Sequence, residues 1–184
     1  MAPYNTYMYI FASQFAGEAI LSLQTGALVA TVTELVINPD KLELIAFLCL
    51  APELEFEQPI LTLQSIRQIT RDCILIDHDG DISDAPQIVR LHQLISSGFR
   101  LLGSKVYTES GTYLGQTTDY SLNFDTKLVQ RLTLRPTFFK RLLTDTFIID
   151  REQIIDVKPD KITVRDATVP ATKRSRIATP ALHE

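Results

Sequence analysis

"ESGTYLGQTTDYSLNFDTKLVQRL", residues 109–132, decides how this chain is read. Apolar residues return between polar ones at strand spacing, and Gly111 and Asn123 stand where the chain should reverse. The pattern has an earlier copy, "QTGALVATVTELVINPDKLELIAF", at residues 24–47. Gly26 aligns with Gly111, Val29 with Leu114, Ala30 with Gly115, Glu34 with Asp119, Asn38 with Asn123 and Asp40 with Asp125. The repeat continues on both sides. Gly17 pairs with Gly103 and Ile20 with Val106, while Ile66 and Ile74 pair with Ile154 and Ile162. The small changes of offset between these runs are what loops absorb.

Each copy predicts about six short strands. The first copy places them near 19–23, 28–37, 42–50, 60–63, 66–69 and 73–77. The second places them near 105–108, 113–122, 128–135, 146–149, 154–157 and 161–165. Val, Ile, Thr, Tyr and Phe fill these runs, and Gly, Asn, Asp and Pro separate them. "NPDK" at 38–41 and "NFDT" at 123–126 are turns, because Asn and Asp side chains can bond the local backbone. The run "LIAFLCL", 44–50, is apolar on both faces and requires cover on both. Its counterpart "VQRLTLR", 129–135, has one wet face.

Between the copies, "DAPQIVRLHQLISSG", 84–98, predicts a helix, with Asp84 as N-cap, Pro86 in the first turn and Gly98 at the end. Ile88, Leu91 and Ile95 share one face of it. The expected organisation is mainly β: two tandem small β-barrels, at 1–82 and 99–168, joined by a helical linker at 83–98. The tail, 169–184, is interrupted by Pro170 and Pro180 and is expected to be flexible.

At this point the residues resemble the PRC-barrel family. "GSKVYTESGTYLGQTTD" carries its spacing in Gly103, Val106, Thr108, Gly111, Leu114, Gly115 and Asp119. The first copy is similar through Gly17, Ile20, Ser22, Gly26, Val29, Val32 and Glu34. It departs by one inserted residue before Gly26 and by Ala30 in place of a second glycine. The second copy departs at Thr117, where a larger aliphatic is usual. The resemblance implies small β-barrels used as interaction modules, with structural glycines and no fixed catalytic residues. The family includes the cytoplasmic part of a photosynthetic reaction-centre subunit and the C-terminal half of a ribosome maturation factor.

Composition narrows the function classes. The chain has 184 residues, 45% hydrophobic, enough for a buried core. No run approaches the length of a membrane span, and the first twenty residues lack a basic start followed by an unbroken apolar run. A cytoplasmic address is the expectation. Cys49 and Cys73 both sit in apolar runs and read as buried thiols. The net charge of −4 is uneven: residues 1–82 carry −8, and 83–168 carry +2.

No catalytic, cofactor or metal set is expected. His78, His92 and His183 have no ligand spacing. No nucleophile elbow or phosphate loop occurs. "DHDGDISD", 77–84, lacks the glycine and terminal carboxylate of a calcium loop at the required positions and reads as a solvated turn. The segment 127–143 is the candidate partner surface, through Arg131, Arg135, Phe138, Phe139, Lys140 and Arg141. The matching stretch of the first copy carries Glu43, Glu53 and Glu55 instead. Either the phenylalanines tuck inward and the charges form a solvated edge, or the segment meets a partner. The leading expectation is a non-enzymatic adaptor for another protein. A ribosome- or RNA-associated factor and a peripheral protein on an anionic membrane are the alternatives. Opposite charge on the two halves also permits self-association.

Overall fold

The structure is a computed structural model and describes residues 9–70, 72–136 and 146–166. The tail expected to be flexible lies outside the described residues. Strand β1 is Tyr9–Phe11. The first half then runs through β2 (Ala19–Ser22), β3 (Leu28–Asn38), β4 (Glu43–Leu50), β5 (Pro59–Thr62), β6 (Ile66–Ile69), β7 (Cys73–Ile76) and β8 (Ile82–Asp84). One helix, α1 (Val89–Ser96), follows. The second half contains β9 (Lys105–Thr108), β10 (Tyr113–Asn123), β11 (Leu128–Pro136), β12 (Phe147–Asp150), β13 (Ile154–Val157) and β14 (Lys161–Val164).

The two halves pair their strands alike. In each, the first strand lies antiparallel to the second and parallel to the last: β2 with β3 and β7, β9 with β10 and β14. The second and third strands form the long hairpin, β3–β4 or β10–β11, closed by the expected turns. The Asn38 carboxamide accepts the Asp40 N–H at 3.0 Å, and that of Asn123 accepts the Thr126 N–H at 2.9 Å. Even the bulges recur. The register slips between Val32 and Glu34 and between Val36 and Ile37, and again between Thr117 and Asp119 and between Ser121 and Leu122. Bulges bend a strand and raise its twist, so both halves curl at the same places.

The expectation of two separate barrels needs correction. All fourteen strands belong to one sheet that stays open, with β6 and β13 at the ends of its main path. The halves join where β4 meets β11, at the pair Glu43–Leu128. There the Leu44 N–H donates to the Lys127 carbonyl at 2.7 Å and the Val129 N–H to that of Leu42 at 2.9 Å. Glu43 and Leu128 are equivalent residues of the repeat, and so are Leu42 and Lys127. Those last two both adopt left-handed backbone, with φ of 49° and 61°. The bridge therefore lies on a local twofold axis relating the halves.

The segments leading into each half cross that axis. β1 pairs with β10 of the second half, Phe11 opposite Ser121. Just beyond, the Ser13 hydroxyl donates to Asp119 at 2.6 Å, and the Ser13 N–H donates to the same carboxylate at 3.2 Å. Reciprocally, Arg100, which leads into the second half, pairs with Glu34 of the first. Glu34 and Asp119 are the equivalent acids of the repeat. Each holds the segment that leads into the other half.

One core runs through both halves, from Ile20, Leu44 and Phe47 to Val106, Leu122 and Leu132. Phe15 joins them, its ring 5.3 Å from Phe47 and 5.8 Å from Phe124. A second cluster explains the doubly apolar run at 44–50. Leu44, Phe47 and Cys49 face the main core, while Ala46 packs with Val36, Ile60, Ala85 and Leu91 beneath α1. Asp84 does not cap that helix. Its carboxylate accepts the Gln58 N–H at 2.9 Å, and α1 starts after a short 3-10 turn containing Pro86.

Thr117 has a physical cost in this frame. It is 2% exposed, and its hydroxyl has no hydrogen-bond partner among the described residues. Val32 holds the equivalent place in the first half, 1% exposed. An unpaired buried hydroxyl costs about 1–3 kcal/mol. Thr117→Val is isosteric here, and should raise the unfolding free energy by about 1 kcal/mol. Urea titration of both proteins measures it; an unchanged or lowered midpoint would show that the hydroxyl is satisfied.

Candidate partner-binding faces

Residues directly opposite on neighbouring strands point to the same side of a sheet, and strands lie about 4.8 Å apart. In the second half one outward row can be followed across four strands. Arg135 on β11 faces Gln116 on β10, Gln116 faces Lys105 on β9, and Lys105 faces Lys161 on β14. All four are exposed. The adjacent row holds Tyr113, Tyr107 and Thr163, each half-buried. The two tyrosine rings contact at 5.1 Å, tilted by 45°. The inward residues between them, Val106, Leu114, Leu134 and Ile162, belong to the core, so alternation fixes this face outward. A shallow cleft of about 390 Å3 runs over it, touching Lys105, Tyr107, Lys161 and Thr163.

The first half presents the same face with different chemistry. Leu50, Thr31, Ala19 and Cys73 form the row equivalent to Arg135, Gln116, Lys105 and Lys161. Leu28, Leu21 and Leu75 replace Tyr113, Tyr107 and Thr163. Leu50 is 61% exposed and Leu28 58%, with Leu23 beside them at 53%. Contiguous exposed apolar side chains of this kind mark interaction surfaces. One face is greasy, and its symmetry mate is cationic and aromatic.

Residues 96–168 match the family model of the PRC-barrel domain. The likeness to that family lies in the second half of the chain. No curated protein matches the chain.

Within the matched residues, Gly111 makes the turn between β9 and β10. Its φ is 85° and its N–H donates to the Thr108 carbonyl at 2.9 Å, a backbone shape that side chains strain to adopt. Gly17, Gly26 and Gly103 also have positive φ, and Gly115 lies at the bulge where β9 meets β10. They shape the curl of the sheet, and Gly111 also lines the cleft beside Lys105 and Lys161.

Of the residues expected at the partner surface, Arg135 belongs to the cationic row. Arg131 lies two outward positions away on β11 and pairs with Asp150 at 2.8 Å. Phe138, Phe139, Lys140 and Arg141 lie outside the described residues. Lys105, Lys161, Tyr107 and Tyr113 were not anticipated. The signal that could have found them was in the repeat: read at strand parity, they replace Ala19, Cys73, Leu21 and Leu28.

The acidic segment 77–84 is occupied with its own turn. Asp81 accepts the His78 N–H at 2.8 Å, and Asp79 accepts the Thr25 hydroxyl at 3.2 Å. Among the described residues no group of three or more His, Cys, Asp or Glu could hold a metal ion. Both cysteines are free thiols. Burial pushes the Cys49 thiol up to about 12, which leaves almost no thiolate nucleophile at neutral pH. Among the described residues no helix is long and apolar enough to cross a membrane.

Proposed function

We propose that this protein is a non-enzymatic adaptor with two PRC-barrel-like halves, each presenting its outward sheet face to a different macromolecule. PRC-barrel domains are often used in protein interactions. The observation that carries the reading is the contrast between equivalent faces: Leu50, Ala19, Leu21 and Leu28 in the first half, Arg135, Lys105, Tyr107 and Tyr113 in the second. A fold that needed only stability would have no use for such divergence at positions facing water. The apolar face suits a protein surface, and the cationic one an anionic partner.

The test separates the faces. Leu28→Asp with Leu50→Asp blocks the first, and Lys105→Ala with Lys161→Ala neutralises the second. Quantitative capture from native lysate should lose a different set of partners with each pair. Identical capture profiles for both pairs and the unaltered protein would overturn the reading.

A further inference from the structure

We infer that the outward face of β9, β10, β11 and β14 is a binding surface for single-stranded nucleic acid. This rests on the adaptor reading and names the partner class of its second face.

Three cations stand in one line across the sheet: Arg135, Lys105 and Lys161, with Gln116 between the first two. Lys105 and Lys161 are directly opposite on parallel neighbours. Like charges so placed repel, and a pure structural role would not select them. The first half shows that the fold does not require them, since Ala19 and Cys73 fill the same places. An anion running along the row relieves the repulsion.

The second row tells which anion. Tyr107 and Tyr113 form a contacting pair beside the cations, on an open sheet surface and not in a closed pocket. A polyanion with planar, stackable groups uses both rows at once: phosphates over the cations, bases over the rings. The Gln116 carboxamide and the Thr163 hydroxyl, exposed and half-buried on the same face, can meet base edges or sugar hydroxyls. An acidic peptide would use the cations and leave the tyrosine platform without a role. Glu109 and Asp160 also line the cleft, so the phosphates have the cations of the row as their favourable contacts. The overall charge of −4 and the three cations of the row predict modest affinity with a correspondingly modest salt dependence.

The experiment is fluorescence anisotropy of the full chain with labelled twenty-nucleotide poly-U RNA and poly-dT DNA, at several salt concentrations. Three neutralised phosphates give a slope of log K against log salt of about −2. Lys105→Ala with Lys161→Ala, exposed positions where the first half carries the small residues Ala19 and Cys73, should weaken binding at least about tenfold and flatten the slope by about 1 or more. Tyr107→Ala should weaken it by about 5- to 100-fold with the slope unchanged, and Tyr107→Phe should restore it. Circular dichroism checks that each variant is folded. Binding of polyglutamate as tight as the oligonucleotides, insensitive to Tyr107, would overturn the inference in favour of an acidic protein. No oligonucleotide binding at low salt would also overturn it. In either case, a partner still captured through Lys105 and Lys161 would leave the adaptor reading standing.

Discussion

Phe15→Ala is expected to lower the unfolding free energy by about 3–5 kcal/mol, the range for a buried aromatic truncated to alanine. Phe15 is 3% exposed and its ring touches Phe47 of the first half and Phe124 of the second. No other ring among the described residues makes both contacts. The cavity left behind opens at the seam, where the two curled layers cannot both collapse into it. Because one core runs through both halves, urea titration followed by circular dichroism should still give one transition, at a lower midpoint. A loss below about 1 kcal/mol, or a second transition appearing in the variant, would mean that the halves are independent bodies that happen to touch. Phe11→Ala is the control: that ring is 46% exposed and its loss should cost much less.

Arg151→Ala is expected to loosen the same seam from the outside. The guanidinium donates to three main-chain carbonyls: Lys41 at 2.5 Å, Leu42 at 3.3 Å and Val129 at 3.1 Å. Two of these belong to the first half and one to the second. Arg151 also lines a cleft of about 350 Å3 where the 39–42 turn meets β13. Charged hydrogen bonds contribute about 1.5–3 kcal/mol each at best, and the half-buried position screens them, so a total loss of about 2 kcal/mol follows. Hydrogen exchange gives the sharper readout. The amides of Leu44 and Val129 carry the β4–β11 bridge, and both should exchange faster in the variant while core amides such as Ile20 change less. Arg151→Lys has one point charge for three carbonyls and should recover only part of the loss. Unchanged exchange at Leu44 would show that the bridge does not depend on Arg151. The repeat offers a comparison, because Leu63 stands at the equivalent place, and among the described residues no guanidinium reaches across from that side.

Much of the fold was legible because it is local. Strand β10 runs Tyr113–Asn123 and its copy β3 runs Leu28–Asn38, each within a residue of the expected limits, since β-branched runs bounded by Asn turns leave little choice. What escaped was everything that depends on distant pairing. β1 is three residues long and finds its partner in the other half, so no periodicity marks it. The doubly apolar run at 44–50 asked for two-sided cover but could not say that α1 supplies one side. The pairing of β4 with β11 rests on one bridge, Glu43–Leu128, which leaves no trace in composition. Of the candidate surface, Arg135 was legible as a cation on a wet strand face. Lys105 and Lys161 were not, because their adjacency arises from a parallel pairing of the first and last strands of the half. Two single lysines in sequence become one row only in the sheet.

The crossing of the leading segments bears on how the chain is made. Ser13 and its partner Asp119 are 106 residues apart, and each half also needs its last strand before its first is flanked on both sides. Such high contact order slows folding. On the ribosome, a nascent chain that has not yet exposed β10 has no seat for β1 and no Phe124 to cover Phe15. The first half must therefore wait, partly built and with apolar surface open, until the second emerges. Synthesis that stalls between the halves leaves Phe15 without its cover from Phe124, the kind of exposed apolar surface that makes a partly folded chain prone to aggregate.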